Sequence, residues 1–244
     1  MRNIKLIIEY DGTNYHGWQR QPDQISVQEV LENTLGKVLE HEVSITSAGR
    51  TDAGVHALGQ AANFSTDCKI PANKIPCALN ALLPDDIVVK EACEVPEDFH
   101  ARFSAKGKYY KYIINNARFS SALEAKREYF CPYRLNIDLM KQSLELLLGT
   151  HDFKGFMASG CLVKDTFRTI YQAELEEKGD RIIVGLKADG FLYNMVRIIV
   201  GTLIDAGREK ISIEDIKKAM ETGNRSLLGK TVPPQGLYLA EVYY

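Results

Sequence analysis

Apolar residues recur along the chain with spacings that predict two successive runs of similar order. Ile4, Leu6, Ile8 and Tyr10 fall on every second position, the period of a strand with one buried face. Ser26-Val27-Gln28-Glu29 has the form of a capping box, in which hydroxyl and carboxylate each satisfy a free backbone donor. It opens a helix whose Val27, Val30, Leu31, Leu35 and Val38 share one face. Strand-like runs near 42–48 and 57–65, a helix near 72–83 carrying Ile75, Leu79, Leu82 and Leu83, and a strand over about 86–95 follow. That order is βαββαβ, the ferredoxin-like arrangement.

The order returns with insertions. A strand is predicted at about 107–115, a short extra one near 128–133, and a helix at about 138–148 stopped by Gly149. Strands at about 168–177 and 181–189 precede a helix at about 191–206 stopped by Gly207. A short helix opening with Ser212 and Asp215 leads to a last strand, Leu237 to Tyr244. The expected class is α+β: two ferredoxin-like (RRM-like) halves with mainly antiparallel sheets, residues 1–105 and 106–244. No residue-level repeat links the halves, so the duplication concerns element order alone.

Composition narrows the class. The chain has 244 residues, 45% hydrophobic and 25% charged, which fits an ordinary globule and excludes a disordered or fibrous chain. The longest apolar stretch, Phe191 to Ala206, is interrupted by Asn194, Arg197 and Asp205, so no membrane span is expected. The amino-terminal apolar stretch is too short for a signal peptide, and a cytoplasmic location is expected. Five cysteines form no CxxC pair, which points to neither a disulfide framework nor a zinc site. The net charge of −2 hides an asymmetry: residues 1–105 carry 9 Lys/Arg against 15 Asp/Glu, residues 106–244 carry 21 against 17. Phe99 to Leu123 holds Arg102, Lys106, Lys108, Lys111 and Arg118 and no acid, interleaved with Phe103, Tyr109, Tyr110, Tyr112 and Phe119. Cations with stacking surfaces suit a nucleic-acid groove; a strand with a solvated basic face fits equally.

Three places could hold chemistry. In Ala48-Gly49-Arg50-Thr51-Asp52-Ala53-Gly54-Val55-His56 two glycines bracket an arginine and an aspartate between strand-like runs. Such a turn can present Asp52 as nucleophile or base and Arg50 to a phosphate or substrate; a surface turn with a local ion pair fits the same pattern. On the 191–206 helix Arg197 shares a narrow polar stripe with Asn194, Gly201 and Asp205. A buried arginine there needs a partner, because an unpaired buried charge costs about 3–5 kcal/mol. That partner is either an active-site carboxylate, whose pKa the pairing would lower, or Asp205 and its neighbours. After the first strand, Tyr10 to Arg20 includes the only tryptophan, Trp18, and Arg20; these could line a substrate surface or cover the core.

Five stretches, YDGTNYHGWQ (10–19), AGRTDAGVHA (48–57), FHARFSAKGKYYKYII (99–114), FLYNMVRIIVG (191–201) and QGLYLAEVYY (235–244), together resemble the TruA family of tRNA pseudouridine synthases. The resemblance spans nearly the whole chain in family order, and GRTDAGVH is highly specific. It implies conversion of uridine to pseudouridine at positions 38, 39 and 40 of the tRNA anticodon stem-loop. It also implies two ferredoxin-like halves meeting at a central cleft, no cofactor, no metal and a homodimer whose two subunits both touch tRNA. By the same resemblance Asp52 is the nucleophile, Arg50 helps displace the target base, Tyr110 packs on the uracil and Arg197 pairs with the aspartate. Arg20, Lys108 and Lys111 are further candidates for tRNA contact. The rivals are a non-catalytic RNA-binding protein of two RRM-like halves, and a carboxylate-dependent glycosidase, which would want a second carboxylate.

Overall fold

A computed structural model describes residues 1–158, 160 and 163–244; Cys161 lies outside the described residues. The chain divides into two compact units, residues 1–106 with 238–244, and residues 107–237. Both are mixed α and β. No helix among the described residues is long and apolar enough to cross a membrane.

The first unit contains β1 (Arg2–Tyr10), α1 (Val27–Leu39), β2 (Thr46–Ser47), β3 (His56–Thr66), α2 (Ile75–Asn80) and β4 (Ile87–Val95). Its strands lie in the order β4-β1-β3, with β2 on β3, all antiparallel. The period-two residues Ile4, Leu6, Ile8 and Tyr10 are buried, as are Val27, Leu31, Leu35 and Leu39 of α1. These two apolar faces make the unit's core.

Three local expectations change. Ser26 Oγ accepts from the Glu29 amide at 3.3 Å, but the Glu29 carboxylate turns to Arg20, 3.5 Å away. Only half of the capping box therefore forms. The helix near 72–83 becomes a 3₁₀ turn, Ala72–Lys74, followed by six α-helical residues. It ends where the Asn80 amide binds both the N–H and the C=O of Val89, at 2.8 and 2.9 Å, a tie to β4; Leu82 is left exposed. The strand expected over 42–48 contracts to Thr46–Ser47.

The second unit contains β5 (Gly107–Asn115), β6 (Tyr129–Phe130), α3 (Ile137–Glu145), β7 (Gly149–Asp152), β8 (Phe167–Lys178), β9 (Arg181–Ala188), α4 (Met195–Gly207) and α5 (Ile213–Thr222). Strands β5-β9-β8-β7 are antiparallel neighbours, and β6 lies parallel to β5. Every residue from Ile198 to Ile204 is buried, so α4 is an interior helix. It begins at Met195, four residues later than expected, because Asn194 adopts a left-handed conformation (φ +60°) that helix cannot propagate through. α3 stops at Glu145, and Gly149 opens β7, a strand the apolar pattern did not predict. The cap of α5 forms as expected: Ser212 Oγ accepts from the Asp215 amide, and the Asp215 carboxylate accepts from the Ser212 amide.

The last strand, β10 (Leu237–Tyr243), corrects the expected boundary of the second half. From Tyr238 onward it belongs to the first unit, where Tyr238 and Leu239 pair in parallel with His56 and Ala57 of β3. The Tyr243 carbonyl there also accepts from the Lys106 amide at 2.8 Å.

Candidate active site

The loop between β2 and β3 is held almost entirely by its backbone. The Ala48 amide donates to the Ala61 carbonyl (2.8 Å), and Gln60 Nε2 donates to the Gly49 carbonyl (2.7 Å). Thr51 turns inward, its hydroxyl 2.7 Å from the buried Tyr10 hydroxyl. The residues on either side of it are presented outward, Arg50 exposed and Asp52 half-buried. Asp52 then begins a tight turn closed by the Val55 amide on the Asp52 carbonyl (3.1 Å). Gly54, third in that turn, has φ +74°, a conformation glycine adopts without a Cβ penalty. Burial of Tyr10 keeps its phenol protonated far above the usual tyrosine range.

The 10–20 segment forms the bed of this loop. Trp18, buried beside Tyr10, donates its amide to the Thr51 carbonyl (3.0 Å), and the Gly54 amide reaches the Tyr15 carbonyl (3.3 Å). A Cβ on Gly12 would lie 2.0 Å from the Val55 carbonyl oxygen, and one on Gly17 2.5 Å from that of Thr51. The two glycines are what let the segments touch. Buried His56 closes the assembly: its Nδ1 lies 3.0 Å from the Gly12 amide and 3.1 Å from Asp11 Oδ1, and its ring stacks on Tyr238. Of the two roles left open for Trp18, the structure places it in the core. Arg20 turns toward Glu29 (3.5 Å) and Glu32 (3.7 Å) at the start of α1. Its guanidinium is engaged with carboxylates of its own unit.

In the second unit the pleat of β5 separates residues that sequence alone grouped together. Lys108, Tyr110, Tyr112 and Ile114 point to one face, opposite the buried Ala188, Leu186, Val184 and Ile182 of β9. Tyr110 is 8% exposed and meets Phe191 edge-to-face at 5.1 Å. Tyr109 and Lys111 point to the other face, across from Lys187 and Gly185, and the Tyr109 hydroxyl binds Glu174. Lys111 lies over the Tyr109 ring, 5.4 Å from its centroid. Lys108 therefore shares a face with Tyr110, whereas Lys111 sits on a face that also carries acids.

Arg197 is half-buried rather than enclosed. Its Nε donates to the Val232 carbonyl (2.8 Å) and its NH1 to Asn194 Oδ1 (2.6 Å), which fixes the plane of the guanidinium. Asp205, the partner available within the helix, lies 3.9 Å from Arg208. The apolar pattern gave no hint of the segment that holds Arg197, residues 228–236. Gly201 and Gly229 pack backbone to backbone, so this strip lies directly along α4. Its next carbonyl, Pro233, accepts from the hydroxyl of fully buried Tyr112 (2.8 Å). Gly229 and the Pro233-Pro234 pair were the available signals.

The first unit can supply a carboxylate on a stiff turn with an arginine beside it; the second can supply an aromatic face and an arginine with a fixed orientation. Among the described residues no group of His, Cys, Asp and Glu could hold a metal ion.

The family described as tRNA pseudouridine synthase matches residues 6–104 and 144–244. Those stretches include Arg20, Arg50, Asp52 and Arg197 and leave out Lys108, Tyr110 and Lys111. A protein of Thermoanaerobacter sp. (strain X514) named tRNA pseudouridine synthase A is 50% identical over 244 residues, all of both chains. One of the same name from Acetivibrio thermocellus is also 50% identical over the full length of both. Among solved structures, the archaeal box H/ACA sRNP Nop10-Cbf5 complex matches at 12% identity and a TM-score of 0.37, covering 94% of this chain and 59% of that one.

Proposed function

Because the chain belongs to the tRNA pseudouridine synthase family, and is thus an isomerase of uridine in tRNA, we propose that Asp52 is its nucleophile and positions 38, 39 and 40 of the anticodon stem-loop its targets. The observation that carries the proposal is the loop in which Thr51 is pinned inward while Arg50 and Asp52 are turned out on either side of it.

The reaction breaks the N1–C1′ bond, turns the uracil while it is still enclosed, and forms a C5–C1′ bond. The C5 hydrogen is lost and N1 gains a proton, so composition is unchanged. A base inside a stem has to leave the stack first, at a cost of a few kcal/mol. In this reading Arg50 holds the vacated space or the flanking phosphates. Asp52 supplies the ionised carboxylate that either glycosidic cleavage or addition to the uracil ring requires. Arg197, oriented by Val232 and Asn194, is the cation that keeps this carboxylate charged. Tyr110 packs on the freed uracil, and Lys108, on the same strand face, neutralises tRNA phosphate.

The fold belongs to the same proposal. The strand order β4-β1-β3-β2 of the first unit, and the neighbours β5-β9-β8 of the second, support ferredoxin-like halves. The enzyme works in the cytoplasm as a homodimer. A non-catalytic RNA-binding role is not favoured, since full-length relatives at 50% identity carry the synthase name.

Unmodified tRNA incubated with the protein and digested to nucleosides tests the reading. The wild type should form pseudouridine at 38–40, and Asp52→Asn should form none while binding tRNA within a few-fold of wild type. An active Asp52→Asn variant would refute the nucleophile, and a product confined to other positions would refute the target assignment.

A further inference from the structure

The segment Pro96–Ser104 is fixed by the buried Asn3 and the half-buried Asn63. Asn3 Nδ2 donates to the carbonyls of Pro96 (3.0 Å) and Phe99 (2.8 Å), and Asn63 Nδ2 donates to Asn3 Oδ1 (2.9 Å). Ala101, fully buried, is held on both sides: its amide donates to Asn63 Oδ1 (2.8 Å), and its carbonyl accepts from the Tyr244 hydroxyl (2.9 Å). Phe99 packs on Tyr244 with the Lys5 ammonium over both rings.

So constrained a loop could bury its apolar side chains, yet its tip displays one. Phe103 is 74% exposed. The His100 ring lies 4.3 Å from it, centroid to centroid, and the Arg102 guanidinium sits 5.5 Å from its centroid. His100 is locked in place, since its Nδ1 accepts from the amides of Arg102 and Phe103 at 3.2 and 3.3 Å. Lys106, exposed, follows three residues on, and the two acids within residues 96–106, Glu97 and Asp98, stand at the start of that stretch. An aromatic face held open to solvent between cations is the combination that stacks an unpaired base and neutralises its phosphate.

We propose that Phe103 and Arg102 form a tRNA-binding platform, Phe103 stacking on an unpaired base and Arg102 contacting the adjoining phosphate. The inference rests on the proposed tRNA substrate and adds a contact by residues to which no part in the chemistry is assigned.

The test compares wild type, Phe103→Ala, Phe103→Trp and Arg102→Gln for tRNA affinity by filter binding, with thermal melting and mass by light scattering on each. Phe103→Ala should bind about 5- to 150-fold more weakly, the range for one stacked base. Phe103→Trp should retain affinity, and Arg102→Gln should lower the salt slope of binding by about 0.7–0.9. Unaltered affinity in Phe103→Ala would overturn the proposal. So would a loss of affinity accompanied by a lower melting temperature or a smaller assembly, which would make Phe103 a structural or protein–protein contact. A wild type that forms no pseudouridine in tRNA refutes the functional reading instead; an active wild type with an unaffected Phe103→Ala refutes only the platform.

Discussion

Replacing Gly12 by alanine should separate the two segments that build the Asp52 loop. Gly12 is buried and its φ is not in the left-handed region, so alanine meets no backbone penalty and the perturbation is purely one of space. The new Cβ would sit 2.0 Å from the Val55 carbonyl oxygen, where real contacts are essentially never under 3.0 Å, so the segments must part by about 1 Å. That movement breaks the 3.0 Å bond from the Gly12 amide to His56 Nδ1 and leaves a buried N–H unsatisfied, which costs about 1–3 kcal/mol. Overpacking adds a similar amount, so about 2–4 kcal/mol of lost stability is expected. Val55 closes the turn that begins at Asp52, and an error of about 1 Å at a reacting group lowers turnover by roughly 10²-fold. Trp18, the chain's only tryptophan, is buried with its amide on the Thr51 carbonyl, so its fluorescence during urea unfolding reports directly on this bed. Gly36→Ala is the control: it lies within α1, its Cβ would be 3.6 Å from the nearest atom, and it should gain up to about 1 kcal/mol. A Gly12→Ala protein with the wild-type urea midpoint and turnover would refute the claim that close approach of these segments sets the loop.

Arg197→Met should keep the fold better than Arg197→Ala, since its long apolar stem remains, yet both should lose pseudouridine formation; an active Met variant, measured on tRNA, would show the charge to be structural only. Lys108→Gln should weaken tRNA binding and flatten its salt dependence, whereas Lys111→Gln, on the opposite strand face, should change neither; equal slopes for the two variants would contradict this assignment. Burial raises the Tyr10 and Tyr112 phenols above their ordinary pKa in the folded protein. The unfolded chain therefore loses protons first as pH rises past about 10, so stability holds below that pH and falls above it. Tyr112→Phe should make the alkaline fall in urea midpoint shallower, and a midpoint that rises above pH 10 would reverse the sign.

What could be read in the sequence was whatever rests on side-chain periodicity. The strand Arg2–Tyr10, the buried face of α1 and the Ser212–Asp215 cap are all short-range patterns that the chain writes in full. Departures arise where a contact distant in sequence overrides the local pattern. α2 ends early because Asn80 is tied to Val89, and the reciprocal half of the Ser26 cap is lost because Arg20 draws Glu29 away. Phe191 and Leu192 ahead of α4 extended its apolar pattern upstream, but the left-handed Asn194 interrupts the helix there. The last strand reads correctly as a strand, yet its partner does not: pairing with β3, which puts Tyr238–Tyr244 into the first unit, leaves no mark on the strand's own alternation.

The candidate site divides along the same line. Arg50, Asp52 and the glycines around them stand out because charge between glycines is an unusual pattern, and backbone and side-chain bonds brace the loop that carries them. Lys108 and Lys111 looked alike in sequence because both are cations among aromatics. A spacing of three along a strand puts them on opposite faces, which the period of two alone could have decided. The strip at 228–236 is different in kind. It serves through the carbonyls of Val232 and Pro233, which orient Arg197 and bind Tyr112, and a carbonyl is common to every residue. Only the demand for close approach is written in its side chains, as Gly229 against Gly201. A bulky substitution at either glycine should therefore disturb Arg197 without replacing it, and, if the role proposed for that arginine holds, should lower pseudouridine formation as well.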